Sequence, residues 1–304
     1  MANLRSFVVV GLVTLWALAV AGPASAQEGT LKKIKETGVI TLGHRDASIP
    51  FSYFDDKQAA VGYAMDLCGK IVDAVKADLK MPNLQVKLNP VTSATRIPLM
   101  ANGTIDLECG STTNNLERQK QVSFTITHFV TANRFVSKKA ANLKTVDDLK
   151  GKTVVSTSGT TNIKQITELN GQKNLGITIL PAKDHAEAFL MVETGRAVAF
   201  VMDDILLYSL VANSKNPSEW VISADALSIE PYGIMLRKDD PSFKKVVDDA
   251  MTKVYKSGEI NKIYAKWFMS PVPPKGINLN VPMSEVFKHV VARPTDSGDP
   301  NDYK

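Results

Sequence analysis

Glu108-Cys109-Gly110-Ser111-Thr112-Thr113-Asn114-Asn115-Leu116-Glu117-Arg118 follows the apolar lead-in Ile105 to Leu107 and decides how the chain is read. Glycine, hydroxyls, amides and a guanidinium crowd what should be the end of a strand. Gly110 lacks a Cβ and lets the backbone come close to a ligand. Extended geometry puts Ser111 and Thr113 on one side, because strand side chains alternate. Asn114 with Glu117 three residues on predicts an N-cap and its reciprocal partner, so a helix should begin here. Arg118 then falls in the first turn, where the helix dipole disfavours a cation. A bound anion reverses that penalty, using free backbone N–H groups and a bidentate guanidinium together. The competing reading is a hydrophilic turn with an ordinary surface Arg.

Upstream, Val39 to Gly43 predicts a strand running into His44-Arg45-Asp46 and the aromatic loop Ser48 to Phe54. Open α/β sheets bind ligands at such strand ends. Arg45 is a candidate there, while His44 is expected to pack. A helix from about Gly62 carries Leu67, Cys68, Ile71, Val72, Val75 and Leu79 at helical spacing, which predicts a core-facing stripe. Leu84 to Leu88 predicts another strand. Thr92-Ser93-Ala94-Thr95-Arg96 predicts a helix start with Ser93 and Arg96 on one face. The order β-α-β-α-β is that of a layered α/β architecture.

Downstream, Gln121 to Val136 reads as extended, and then the pattern restarts. Thr153 to Val155 predicts a strand that enters Ser156-Thr157-Ser158-Gly159-Thr160-Thr161, with a helix from about Asn162. Such a helix start can cradle a carboxylate through backbone N–H groups. It lacks GxxxxGK[ST], which argues against nucleotide binding. Ile177 to Leu180 predicts a strand, and Ala182-Lys183-Asp184-His185 opens the next helix. Val198 to Met202 reads as a strand buried on both faces. It ends in Asp203-Asp204, one expected to cap a helix and the other free to meet an ammonium. A strand over Gly233 to Leu236 is followed by a helix from Asp239-Asp240-Pro241 through Tyr255. Ile260 to Phe268 is expected to be the last helix, and the tail Pro294 to Lys304 to be disordered.

Composition narrows the function. Arg5, the apolar run Phe7 to Ala21 and Ala24-Ser25-Ala26 predict a signal peptide cleaved after Ala26. That run is short of the ~20 residues of a spanning helix, and no later stretch qualifies. Without it 278 residues remain, with 35 basic against 31 acidic, a net charge near +4. No block of like charge stands out, which argues against nucleic acid. Cys68 and Cys109 suggest one disulfide in an oxidising compartment, two separate buried thiols being the alternative. No CxxC is present and His occurs four times, so neither a metal nor a cofactor is expected. Length and the repeated block predict two lobes around a ligand-trapping cleft. Residues 27–130 plus 231–304 would form lobe 1 and 131–230 lobe 2, joined by a two-strand hinge near Phe129 to Val136 and Glu230 to Leu236.

Gly43-His44-Arg45, Thr92-Ser93-x-x-Arg96, Glu108 to Arg118, Thr157 to Thr161, Ala182 to His185 and Met202-Asp203-Asp204 stand in the order of a known family. Over essentially the whole mature chain, the sequence resembles the periplasmic glutamate/aspartate-binding proteins of ABC amino-acid importers, solute-binding protein family 3. The resemblance implies a type II, hinge-bending α/β fold that closes on an acidic amino acid. It implies that Arg118, helped by Thr113 and Thr161, binds the α-carboxylate. Ser111, Thr113 and Asp203 would hold the α-ammonium, and Arg45, Ser93, Arg96 and His185 the side-chain carboxylate. The implied partners are L-glutamate or L-aspartate and a membrane permease, with the protein a periplasmic monomer and not an enzyme. Three Arg and one His against one Asp suit two carboxylates and one ammonium. Two other functions compete with this reading. A prephenate or arogenate dehydratase on this fold needs a general acid, and no carboxylate is left over from binding. A sensory module would use the same pocket.

Overall fold

A computed structural model describes residues 29–304, so the expected signal peptide and its cleavage point lie outside the described residues. The chain opens with helix α1 (Thr30–Thr37) and strand β1 (Val39–His44), then a small antiparallel flap of β2 (Ala47–Ser48), β3 (Ser52–Phe54) and β4 (Ala60–Val61). Helix α2 (Tyr63–Leu79), β5 (Gln85–Pro90), α3 (Arg96–Ala101), β6 (Leu107–Cys109) and β7 (Val122–Phe124) follow. A second unit runs β8 (Phe129–Lys138), β9 (Thr153–Thr157), α4 (Thr161–Lys173), β10 (Thr178–Ala182), α5 (His185–Glu193), β11 (Ala199–Asp203), α6 (Asp204–Asn213), β12 (Trp220–Ile222) and β13 (Ser228–Tyr232). The chain returns through β14 (Met235–Arg237) and ends with α7 (Pro241–Lys256), α8 (Glu259–Phe268) and α9 (Glu285–Ala292).

Two sheets result. The first has the order β5-β1-β6-β14-β7, the second β10-β9-β11-β8-β12 with β13 also on β8. β1 is parallel to β5 and β6, while β14 runs antiparallel between β6 and β7. In the second sheet β9 is parallel to β10 and β11, and β8 antiparallel to β11, β12 and β13. The chain therefore crosses between sheets twice, over residues 125–128 and 233–234. Thr125 N–H donates to Ile234 O at 2.9 Å, and His128 N–H to Tyr232 O at 2.8 Å, so the crossings lie side by side. Their expected positions shift: Phe129 to Val136 is sheet strand, not crossing.

Helix α2 buries Leu67, Cys68, Ile71, Val72 and Val75 as the spacing predicts, and Leu79 packs at the margin. Fully burying such a side chain contributes about 1.5–3 kcal/mol. Cys68 is bonded to Cys109, tying α2 to the end of β6 across a Cα–Cα distance of 6.1 Å. Closing that loop of 41 residues is worth about 4 kcal/mol by the chain-entropy argument. Buried rings seat the crossings: Phe51 lies edge-on to Phe129 and Tyr232, at 5.1 and 5.2 Å between centroids. His44 packs its edge on Phe54 at 5.1 Å, as expected.

Three expectations fail. No α-helix starts at Asn114: the segment forms only a 3-10 turn, Arg118–Lys120. Asn114 is instead drawn into tertiary bonds, its amide donating to Asp296 O and Ser297 O. Ile260 to Phe268 is not the last helix, because Ser284 caps α9 by accepting from Phe287 N–H. The tail is not disordered. Tyr303 is buried, its hydroxyl 2.7 Å from Thr127 Oγ1, and Thr127 N–H donates to Thr295 O at 2.7 Å.

Candidate ligand-binding site

The C-terminal ends of β1, β6, β9 and β11 bring the expected residues to one place between the two sheets. From the first sheet, Arg45 follows β1, and its backbone N–H is fixed by Ser52 Oγ at 2.8 Å. Its Nη2 donates to Ser93 Oγ at 2.9 Å, while Nη1 has no partner among the described residues. Ser93 stands in the turn before α3 rather than on the helix. Arg96 opens α3, and its Nη1 donates to Ser111 O at 3.3 Å and to Thr112 Oγ1. Its Nε has no partner, nor does the Ser111 hydroxyl.

Arg118 donates from Nη1 to Thr113 O at 2.8 Å and from Nη2 across the cleft to Gly159 O at 3.2 Å. Asn115, not Asn114, holds its turn, accepting from Arg118 N–H at 2.8 Å. Glu117 makes no reciprocal cap and pairs with Lys164.

From the second sheet, Thr160 caps α4 and Thr161 is its first residue. Thr161 Oγ1 donates to Glu230 at 2.9 Å and lies 3.4 Å from Thr113 Oγ1 across the cleft. His185 is set by the Asp184 cap of α5, with Nδ1 2.9 Å from Thr157 Oγ1 and Nε2 unpartnered. Asp203 Oδ1 accepts from Asn162 at 2.7 Å, and Oδ2 from the Tyr232 hydroxyl. Neither member of the Asp203-Asp204 pair caps α6 as expected: Asp204 accepts from Thr131 and from Arg134 Nε at 3.1 Å.

All nine predicted residues are buried. Ser93, Arg96, Ser111, Thr113, Thr161, His185 and Asp203 line one small cavity between the sheets. Arg45 and Arg118 are not in its wall; they reach it through Ser93 and Thr113. Larger clefts exist, one lined by Phe129, Tyr208 and Tyr264, but its walls hold none of the unpartnered buried polar atoms. Arg96 Nε, Ser111 Oγ and His185 Nε2 lie in the smaller cavity, which makes it the candidate site.

Burial pushes Arg45 down to about 10 and Arg118 to about 9, each helped by the charge of Arg96, so both remain cations at neutral pH. Burial, then Arg45 and Arg96, hold His185 well below its ordinary range, hence neutral. Burial, then Glu230, push Asp203 up to about 7 against the bonds from Tyr232 and Asn162.

The sequence reading missed Asn162 and Met202 in the wall, and it missed Glu108 and Glu230 behind it. Both carboxylates are buried, so Asp203 is not the sole acid of the site. The supposition that no carboxylate was left over fails. Gly110 also has another use: a Cβ there would stand 2.3 Å from Glu108 Oε1, so its bareness makes room for that carboxylate.

Residues 40–270 match the profile of the bacterial extracellular solute-binding proteins, family 3. The chain belongs to this family. An L-glutamate/L-aspartate-binding protein of Pseudomonas aeruginosa is 58% identical over 279 residues, spanning 91% of this chain and 92% of that one. A glutamate/aspartate import solute-binding protein of Escherichia coli K12 is 50% identical over 273 residues, 90% of each chain. Both are named as binding proteins, neither as an enzyme. A mutant of ArgBP from T. maritima superposes with a TM-score of 0.69 at 30% identity, covering 78% of this chain and 98% of that chain. The two-sheet α/β architecture is thus the type II arrangement of the family.

Proposed function

We propose that this family 3 solute-binding protein captures L-glutamate or L-aspartate in the cleft between its sheets and delivers it to the permease of an ABC importer. One observation carries the reading: Arg45 and Arg118 are buried cations bonded only to a hydroxyl and to carbonyls, with no carboxylate within 4 Å among the described residues. A buried charge of this kind needs an anionic partner. Two such centres call for a ligand with two carboxylates. Names of the 58% and 50% identical relatives point to the same acids.

Arg118 takes the α-carboxylate, with Thr113 and Thr161 beside it. Ser111, Thr113 and Asp203 take the α-ammonium. Arg45, Ser93, Arg96 and the neutral His185, donating from Nε2, take the side-chain carboxylate. Micromolar affinity needs only about 8 kcal/mol net, within reach of a few charge-assisted bonds at roughly 1.5–3 kcal/mol each. A neutral amide would strand a guanidinium, which is how the site rejects it. One methylene changes pocket affinity by only ~1–3 kcal/mol, so both acids should bind.

In this reading the lobe boundaries move from 130/131 and 230/231 to the two crossings, so that lobe 1 comprises 29–124 plus 235–304 and lobe 2 129–232, closing by hinge bending. The protein works as a periplasmic monomer, exported with cleavage after Ala26. Calorimetry should give micromolar or tighter binding of L-glutamate or L-aspartate and far weaker binding of L-glutamine. Tight glutamine binding without glutamate binding would sink the assignment.

A further inference from the structure

Glu108 has no role in the ligand scheme above, yet its carboxylate is fully buried behind the cavity wall. Oε2 accepts from the Thr112 hydroxyl, which in turn accepts from Arg96 Nη1. Oε1 has no hydrogen-bond partner among the described residues and lies 3.9 Å from Arg96 Nη1. A Cβ at Gly110 would meet that oxygen at 2.3 Å and Arg45 Cγ at 3.1 Å. The carboxylate thus fills the notch left by Gly110, between the stem of Arg45 and the head of Arg96.

We infer that Glu108 is a specificity-determining counter-ion, which trims the two guanidiniums of the side-chain subsite to one net positive charge and so matches it to a monoanion. The inference rests on the acidic amino-acid reading and adds what that reading lacks, a charge limit. Arg45 and Arg96 supply two positive charges, His185 is neutral, and Glu108 returns one negative. A single carboxylate then closes the balance. A neutral group leaves one buried positive charge, and a dianion leaves one buried negative charge. Both mismatches are penalised in a water-poor cavity, where charges interact more strongly than in solvent. The Glu108 charge also favours the cationic forms of Arg45 and Arg96 against their burial.

The test compares L-glutamate with its phosphonate analogue, L-2-amino-4-phosphonobutyrate, whose distal group passes from monoanion to dianion near neutral pH. With the unaltered protein, calorimetry should show the glutamate-over-phosphonate preference growing several-fold between about pH 6 and about pH 8, as phosphate-type groups lose their second proton there. Glu108→Gln keeps the shape and an acceptor for Thr112 but removes the charge. It should shift the preference toward the phosphonate by at least tenfold at the higher pH. Thr112→Val breaks the hydroxyl link and keeps the charge, so it should leave the preference unmoved. The proposal is overturned if Glu108→Gln leaves the ratio within twofold, or if Thr112→Val shifts it as much. Should Glu108→Gln fail to fold, a flat ratio across pH in the unaltered protein overturns it alone. Absence of glutamate binding to the unaltered protein would defeat the ligand reading instead.

Discussion

Arg118 touches a carbonyl on each side of the cleft and nothing anionic among the described residues. Arg118→Ala is expected to weaken glutamate binding by about 2 to 5 kcal/mol, the usual range for truncating one partner of a buried charge pair. A calorimetric loss under ~0.5 kcal/mol would mark it as an ordinary surface-type contact. Asp203 sets a pH dependence. Its carboxyl is raised from 3.8 to about 7, so between those values the folded protein holds a proton that the unfolded chain has released. In the free protein this contribution to stability is fully present below 3.8 and is lost as pH rises through about 7. An arriving ammonium needs the ionised form and so expels that proton. Affinity should fall about tenfold from pH 8 to pH 6, with proton release visible as a buffer-dependent binding enthalpy. A flat profile without proton release would refute it; His185, already neutral, contributes no opposing change. The nine candidate residues, which the fold brings together, were legible because hydroxyls, Gly and Arg stand together at strand ends in a recognisable order. Glu108 and Glu230 were not. A single Glu in a strand carries no sequence signal of burial, and only the fold reveals Arg96 and Thr161 as neighbours.

Strands and helices were read well wherever apolar spacing was regular, as in α2, β11 and α7. Local signals misled where a distant segment competed for the same groups. Asn114 and Glu117 have the spacing of a cap, but Asn114 is taken by the tail and Glu117 by Lys164. The tail looked disordered for the same reason: its polar residues satisfy bonds that exist only after folding. Asp296 O accepts from Gln119 and its carboxylate pairs with Lys244 at 2.9 Å, while Tyr303 reaches Thr127. Ending the chain at Arg293 should therefore cost about 2 to 4 kcal/mol, chiefly through burial of Tyr303 and loss of the Asn114 bonds. Denaturant unfolding measures it, and a loss under ~0.5 kcal/mol would mean the tail is only resting on the surface.

Across the molecule, the Ser156 to Thr161 loop of the second sheet packs against the turn of the first. Gly159, at φ +76°, would place a Cβ 2.5 Å from Ala94 Cα. Gly159→Ala should hold the two units apart and weaken ligand binding by about 1–3 kcal/mol, the range for overpacking a tight contact. Glutamate should also shrink the radius of gyration of the unaltered protein in small-angle scattering and shrink it less in the variant. Equal affinity and equal shrinkage in both would show that this contact does not limit closure. The docked tail has one more consequence, for order in time. A chain is made from its N-terminus, yet the segment Thr113 to Gln119 is braced by Asp296 and Ser297, and Thr127 by Tyr303. The pocket loop is complete only when residues 296–303 have been made, so a chain stopped or clipped before them carries every candidate ligand residue and still lacks the frame that aims them.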